Sequence, residues 1–146
     1  MPVVWFHLSE GCVTAEREKD LLVQASTLYA DVLAAPIERV RVFIRAYPAS
    51  CVAVAGVQIS EHGPDAPLFE FFVLKGRPLS ERQKLLAGFT DLLVRIMDVR
   101  RERVRGRCIQ LDPEDWAIGG VLASELRRHE IDARMEARKD DDHAAA

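Results

Sequence analysis

Two stretches of the chain are apolar at nearly every position and of strand length, Val3–Leu8 and Phe69–Leu74, both rich in valine and aromatic residues. Each is followed by a glycine suited to a turn, Gly11 and Gly76. Apolar runs without polar alternation predict strands buried on both faces, or nearly so. The period then changes. Leu21, Ala25, Leu28 and Val32 recur at helical spacing while Glu18, Lys19 and Asp31 fall off that stripe, which predicts an amphipathic helix. Leu85, Phe89, Leu93 and Ile96 predict a second, opened by Ser80 and Gln83 at the spacing of a capping box. Pro36 ends the first helix. The runs VRVFI and VRGRCI then read as strands, each reached by a crossover long enough for parallel pairing with the strand before it.

These elements form one plan used twice. Pro2 matches Pro67 and Gly11 matches Gly76 at an offset of 65, while Val40-Arg41 matches Val104-Arg105 and Gly56 matches Gly120 at an offset of 64. Each unit is strand, helix, strand. The predicted fold is therefore α+β: two tandem β-α-β units forming a four-stranded sheet covered by two helices. Units this short are marginal alone, so residues 1–126 are expected to form a single domain, with unit one at 2–60 and unit two at 67–125. SEHGPDAP between them reads as an exposed connection. Residues 127–146 read as a charged helical tail, and the closing DDDHAAA as disordered.

Charge and cysteine usage narrow the function. A formal net charge of −3 leaves no basic stripe for nucleic acid. Three cysteines, Cys12, Cys51 and Cys108, with no CxxC spacing indicate neither a disulfide framework nor a zinc site, and the four histidines lack ligand spacing, so no metal and no cofactor is expected. The apolar start is too short for a secretory signal and no run approaches a membrane span, which points to a cytoplasmic protein.

The residue that stands out is Pro2. A proline has no N–H for a sheet ladder and is tolerated at a strand's first position. If Met1 is removed, Pro2 becomes a free secondary amine able to carry a proton.

Pro2, the repeat, the KGR turn at Lys75-Gly76-Arg77, the two VR strand starts and the IGG turn together resemble the tautomerase superfamily, whose members use an amino-terminal proline and are built from β-α-β units. The second half is similar to 4-oxalocrotonate tautomerase over nearly its full length, and residues 2 to 125 resemble the fused members, malonate semialdehyde decarboxylase among them. The resemblance implies that Pro2 is the catalytic base, with Pro67 its inert counterpart inside the chain. It implies that Arg77 binds a substrate carboxylate, a role for which the first half offers only Cys12. Arg41 and Arg105 become further carboxylate ligands, either of which could come from a neighbouring chain. Trp116 becomes the aromatic wall, Lys75 a second cation near Arg77, and Tyr29 the helical residue near where the related dehalogenase places a histidine.

What the resemblance implies about activity is an isomerase that moves a proton between carbon and oxygen in a small 2-keto acid or its enol. A decarboxylase or hydratase of a small 3-oxo or unsaturated acid is the alternative, ranked ahead of a dehalogenase or a non-catalytic member. The resemblance also implies a homotrimer acting on a small carboxylate, with neither nucleic acid nor membrane as partner.

Overall fold

The computed structural model describes residues 2–145 of the chain. The removal of Met1, on which a free Pro2 amine depends, falls outside the described residues. Strand β1 (Val3–Ser9), helix α1 (Ala15–Leu33) and strand β2 (Arg41–Tyr47) make the first unit; β5 (Leu68–Leu74), α2 (Leu79–Met97) and β6 (Arg105–Leu111) make the second. Within each unit the two strands pair in parallel, Val3 opposite Arg41 and Leu68 opposite Arg105. The units meet along an antiparallel seam in which Phe6 faces Phe69, giving one sheet of order β2-β1-β5-β6. The architecture is the α+β arrangement that the repeat predicts.

One face of this sheet is covered and the other is bare. Val4, Phe6, Leu8, Phe69, Phe71 and Val73 point toward the helices and are buried against Leu21, Ala25, Tyr29, Leu85, Phe89 and Leu93. Phe89 sits at the middle of this layer, edge-on to Phe6, Tyr29 and Phe69 at centroid distances of 5.7, 5.4 and 5.6 Å. Each such aromatic side chain removed from water stabilises the fold by about 1.5–3 kcal/mol. At the alternate positions Val3, Ser9 and Leu74 are buried as well, while Trp5, His7, Glu70 and Phe72 are half-buried, so the two central strands are covered on one face and nearly so on the other. On the bare face an aromatic row crosses the sheet, with Trp5 stacked on Phe43 at 5.4 Å, set edge-on to Phe72 at 5.0 Å, and Phe72 tilted against Trp116 at 6.0 Å.

The two helices start differently. Thr14 caps α1, its hydroxyl accepting from the Arg17 amide at 3.3 Å. Helix α2 begins at Leu79 behind Pro78, so Ser80 and Gln83 lie inside its first turns and no side chain caps it. Pro78 itself occupies the N-cap position, at φ −58° and ψ 151°, so the capping-box residues lie past the position where they could act.

Two short hairpins close the units, β3 (Ala53–Val54) with β4 (Val57–Gln58), and β7 (Ala117–Ile118) with β8 (Val121–Leu122). Their central residues, Ala55-Gly56 and Gly119-Gly120, all have positive φ, the backbone of a tight two-residue hairpin turn. After β8 the tail forms a short helix α3 (Ala123–Leu126), breaks at Arg127, and continues as α4 (Arg128–Ala144). The helix runs on through Asp140-Asp141-Asp142, where composition alone leads to an expectation of disorder. Rather than trailing away, α4 returns to the first unit, where Glu130 reaches Arg39 at 3.1 Å. Among the described residues, no helix is long and apolar enough to cross a membrane.

Candidate active site

Pro2 is buried at the start of β1, between the two neighbouring strands, and its carbonyl accepts from the Arg41 amide at 2.9 Å. The first-unit chain leaves α1 through Leu33 and Ala35 beside it. From the second unit come Val73 and Leu74 at the end of β5, and Arg77 from the turn that follows. These residues enclose a cavity together with Arg39, Arg127, Glu130 and Arg134. Pro2 and Arg77, on different units, thus line one cavity within a single chain.

Arg77 is held rather than free. Its Nη1 donates to the Leu33 carbonyl at 2.9 Å and to the Glu81 carboxylate at 3.1 Å, and its side chain is only 13% exposed. A guanidinium has five N–H donors, so these two bonds fix its position and leave donors for a ligand. The rest of the cationic lining comes from segments outside the sheet and its two helices. Arg39 belongs to the single turn Ile37–Arg39 ahead of β2, while Arg127 and Arg134 belong to the tail. One carboxylate, Glu130, lies between Arg39 at 3.1 Å and Arg134 at 3.5 Å. Burial and the nearby Arg77 charge hold Arg134 below the ordinary arginine range, against the opposing pull of Glu130 and Glu81.

The space has two parts. Beside Pro2 the cavity volume is about 40 Å³, room for a water or two. An outer recess of about 450 Å³ shares Leu33, Ala35, Arg39, Arg77, Glu130 and Arg134 with it and adds Ala34, Pro36 and Glu81. A small organic acid fits the outer volume.

Other residues singled out by the resemblance lie elsewhere in the chain. Arg41 and Arg105 occupy equivalent places and turn back on their own backbones: Arg41 donates to the Glu38 and Val40 carbonyls at 2.8 and 2.9 Å, Arg105 to those of Glu102 and Val104 at 2.6 and 3.1 Å. Neither lines the Pro2 cavity of its own chain. Lys75 is paired with Asp112 at 2.7 Å on the exposed turn. Trp116 belongs to the aromatic row of the bare sheet face, its indole N–H buried with no hydrogen-bond partner among the described residues. Tyr29 is a core residue: fully buried, it donates its hydroxyl to the Phe72 carbonyl, with the Val3 carbonyl at 3.4 Å. Burial pushes its phenol far above the usual range. A helical tyrosine pointing toward the sheet is drawn into packing because its ring contributes more there than its hydroxyl does at a surface.

Arg39, Arg127, Glu130 and Arg134 do not stand out in the sequence as Pro2 and Arg77 do. The tail does carry a signal, since Glu130 and Arg134 are four residues apart and share one face of α4, with Arg127 at the joint ahead of it.

The counterpart of this site around Pro67 is built differently. Its cavity, about 390 Å³, is lined by His7, Ser9, Tyr47, Asp65, Met97 and apolar neighbours, with no arginine or lysine among the described lining. Ser9 donates to Asp65 at 2.7 Å, and His7 shares a hydrogen bond with the Tyr47 hydroxyl through its Nδ1 at 2.7 Å, while its Nε2 lies 3.3 Å from the Glu70 carboxylate without an aligned bond. Where Arg77 stands in the second unit the first has Cys12, a half-buried thiol whose pKa burial raises. Among the described residues there is no group of three or more His, Cys, Asp or Glu able to hold a metal ion.

No family model matches the chain, and no curated protein does. Solved structures do. A native fused 4-OT superposes with a TM-score of 0.79 at 23% identity, covering 85% of this chain and 98% of its own. A protein solved after inactivation by 2-oxo-3-pentynoate gives 0.78 with the same identity and coverage. A wild-type fused 4-OT described as an asymmetric trimer gives 0.76 at 22% identity, again over 85% and 98%. At these identities the likeness is one of fold.

Proposed function

Starting from the tautomerase-superfamily fold of this chain, we propose that it is an amino-terminal-proline enzyme catalysing keto-enol tautomerisation of a small 2-keto acid or its enol. The observation that carries this reading is that Pro2 and Arg77 line one cavity although they belong to different units. Once Met1 is removed, the Pro2 nitrogen is a secondary amine. An α-amino group has an ordinary pKa near ~8. Burial and four guanidinium groups around the cavity disfavour its protonated form and bring it toward neutrality.

The neutral amine takes the enol hydroxyl proton and returns it to carbon, so the proton is conserved and no atom is lost. Arg77 pairs with the substrate carboxylate, and the surrounding positive charge stabilises the enolate oxygen as it forms. Pro67, acylated within the chain, has no amine to offer. The assembly proposed for the active form is a homotrimer, because the bare aromatic sheet face and the unpaired edges of β2 and β6 need covering, and because a solved structure with this fold is a trimer.

The test combines mass and rate. Intact mass of the purified protein reports whether Met1 is gone. Phenylenolpyruvate ketonisation is then followed against pH, with malonate semialdehyde loss as the comparison. A neutral base predicts a rate that rises with pH through the amine pKa and then levels. A rate that falls as the amine deprotonates, with malonate semialdehyde the only compound consumed, would replace this reading with a decarboxylase that works from the protonated proline.

A further inference from the structure

The arginines of the Pro2 cavity outnumber what the proposed chemistry uses, and one carboxylate already occupies the space between two of them. Glu130 presents its Oε1 to the Arg39 Nη1 at 3.1 Å and its Oε2 to the Arg134 Nη2 at 3.5 Å. Two oxygens of one carboxylate, each turned to a different guanidinium, is how a bound organic acid would sit. Both arginines and Glu130 line the inner cavity and the outer recess alike.

We propose that Arg134 of α4, together with Arg39, forms a second carboxylate seat at the Pro2 cavity, and that Glu130 fills this seat in the free protein until a ligand carboxylate displaces it. The proposal rests on the reading of the cavity as a carboxylate-substrate site and names the residues that select for one.

Charge balance favours such an exchange. Arg77 is already paired with Glu81 and the Leu33 carbonyl, so Arg39 and Arg134 depend on Glu130. If Glu130 left without replacement, the guanidinium groups of Arg39 and Arg134 would face each other unpaired across a half-buried recess. An incoming carboxylate restores the pairing that Glu130 gives up. Of the three partners Glu130 is the most exposed, its side chain at 41% against 29% for Arg39 and 25% for Arg134, so it returns to water at the least cost.

The helix that carries it is able to give way. Helix α4 has no buried residue, and Met135 on it is 55% exposed. It is joined to α3 through the single non-helical residue Arg127, at φ −116° and ψ 17°. Few apolar contacts and one backbone joint describe an element of low local stability. The inner cavity of about 40 Å³ cannot admit a keto acid as it stands, whereas displacement of Glu130 would open it to the outer recess.

The experiment measures binding without turnover. The full chain is titrated calorimetrically with malonate, an unreactive carboxylate, in the wild type and in Glu130→Gln, Arg134→Ala, Arg134→Lys and Arg138→Ala. Arg138 lies one turn beyond Arg134, in the groove with Lys75 rather than in the cavity. Glu130→Gln removes the competing charge and should tighten malonate binding by about threefold to tenfold. Arg134→Ala should weaken it by about tenfold or more, Arg134→Lys should recover part of that loss, and Arg138→Ala should stay within about twofold. Weakened or unchanged binding in Glu130→Gln would mean that Glu130 positions the arginines instead of blocking them. Equal losses in Arg134→Ala and Arg138→Ala would mean a diffuse charge effect. Either result overturns the proposal. Since malonate does not turn over, the expected shifts without any keto-acid turnover would remove only the tautomerase reading.

Discussion

Phe69 and Gly106 stand opposite each other in the parallel register of β5 and β6, and the phenylalanine ring fills the place where a Cβ on Gly106 would be. A methyl group at that position would meet both Cε atoms of Phe69 at 2.7 Å, and the ring tip closer still. The equivalent pair in the first unit is Val4 opposite Val42. A middle-sized pair in one unit has become a large and a vanishing residue in the other, with the layer beneath the helices kept filled.

That relationship predicts the outcome of Gly106→Ala. Phe69 is fully buried and boxed in by Phe6, Phe71 and Phe89, so its ring cannot turn aside. Overpacking of this kind costs about 1–3 kcal/mol. Urea unfolding should show that loss, and Phe69→Leu combined with Gly106→Ala should regain part of it. Unchanged stability in the single variant would refute the tight packing described.

Arg77→Ala should lower kcat/KM for a 2-keto acid by about tenfold or more, since a charge-assisted contact contributes about 1.5–3 kcal/mol. Cys12→Ala, at the matching place in the first unit, should change it far less. The comparison is made by steady-state kinetics on both variants, and equal losses would mean that the roles of the two units are reversed.

The sheet and its two helices could be read from the chain because each depends on local patterning: the apolar runs, the helical stripes and the four anchors of the repeat all lie within their own elements. Pro2 and Arg77 were readable for the same reason, since both sit at fixed offsets from those elements. Arg39, Arg127, Glu130 and Arg134 were not. They meet only because α4 turns back on the first unit, and a contact between residues 91 positions apart leaves no trace in local periodicity. Tyr29 was singled out by analogy of position, whereas its neighbours Phe71 and Phe89 show that this part of α1 faces the core.

Tyr29→Phe separates those two views. Removing the hydroxyl takes a buried donor from the Phe72 carbonyl and should cost about 1 kcal/mol in stability. Turnover and its pH profile should be unaffected. Lost turnover at unchanged stability would instead put the hydroxyl in contact with substrate.

Sedimentation velocity should give three times the 16.4 kDa chain mass. Phe43→Glu should break the assembly, because Phe43 is 45% exposed in the single chain and is stacked on Trp5 at the centre of the bare face. A stable, active monomer of the wild-type chain would sink the trimer.

The unlike surroundings of Pro2 and Pro67 bear on how the two halves can diverge. In an assembly of identical units every substitution is felt twice, once where a residue neighbours a reactive proline and once where its copy does the same. Here four arginines surround Pro2 and none is found in the described lining around Pro67. An electrophile selective for a free prolyl amine therefore has at most one target per chain, and its labelling should saturate at a single equivalent. Position 77 can drift without a matching drift at position 12, which leaves the cavity around Pro67 open to take on a different ligand while its twin keeps its own.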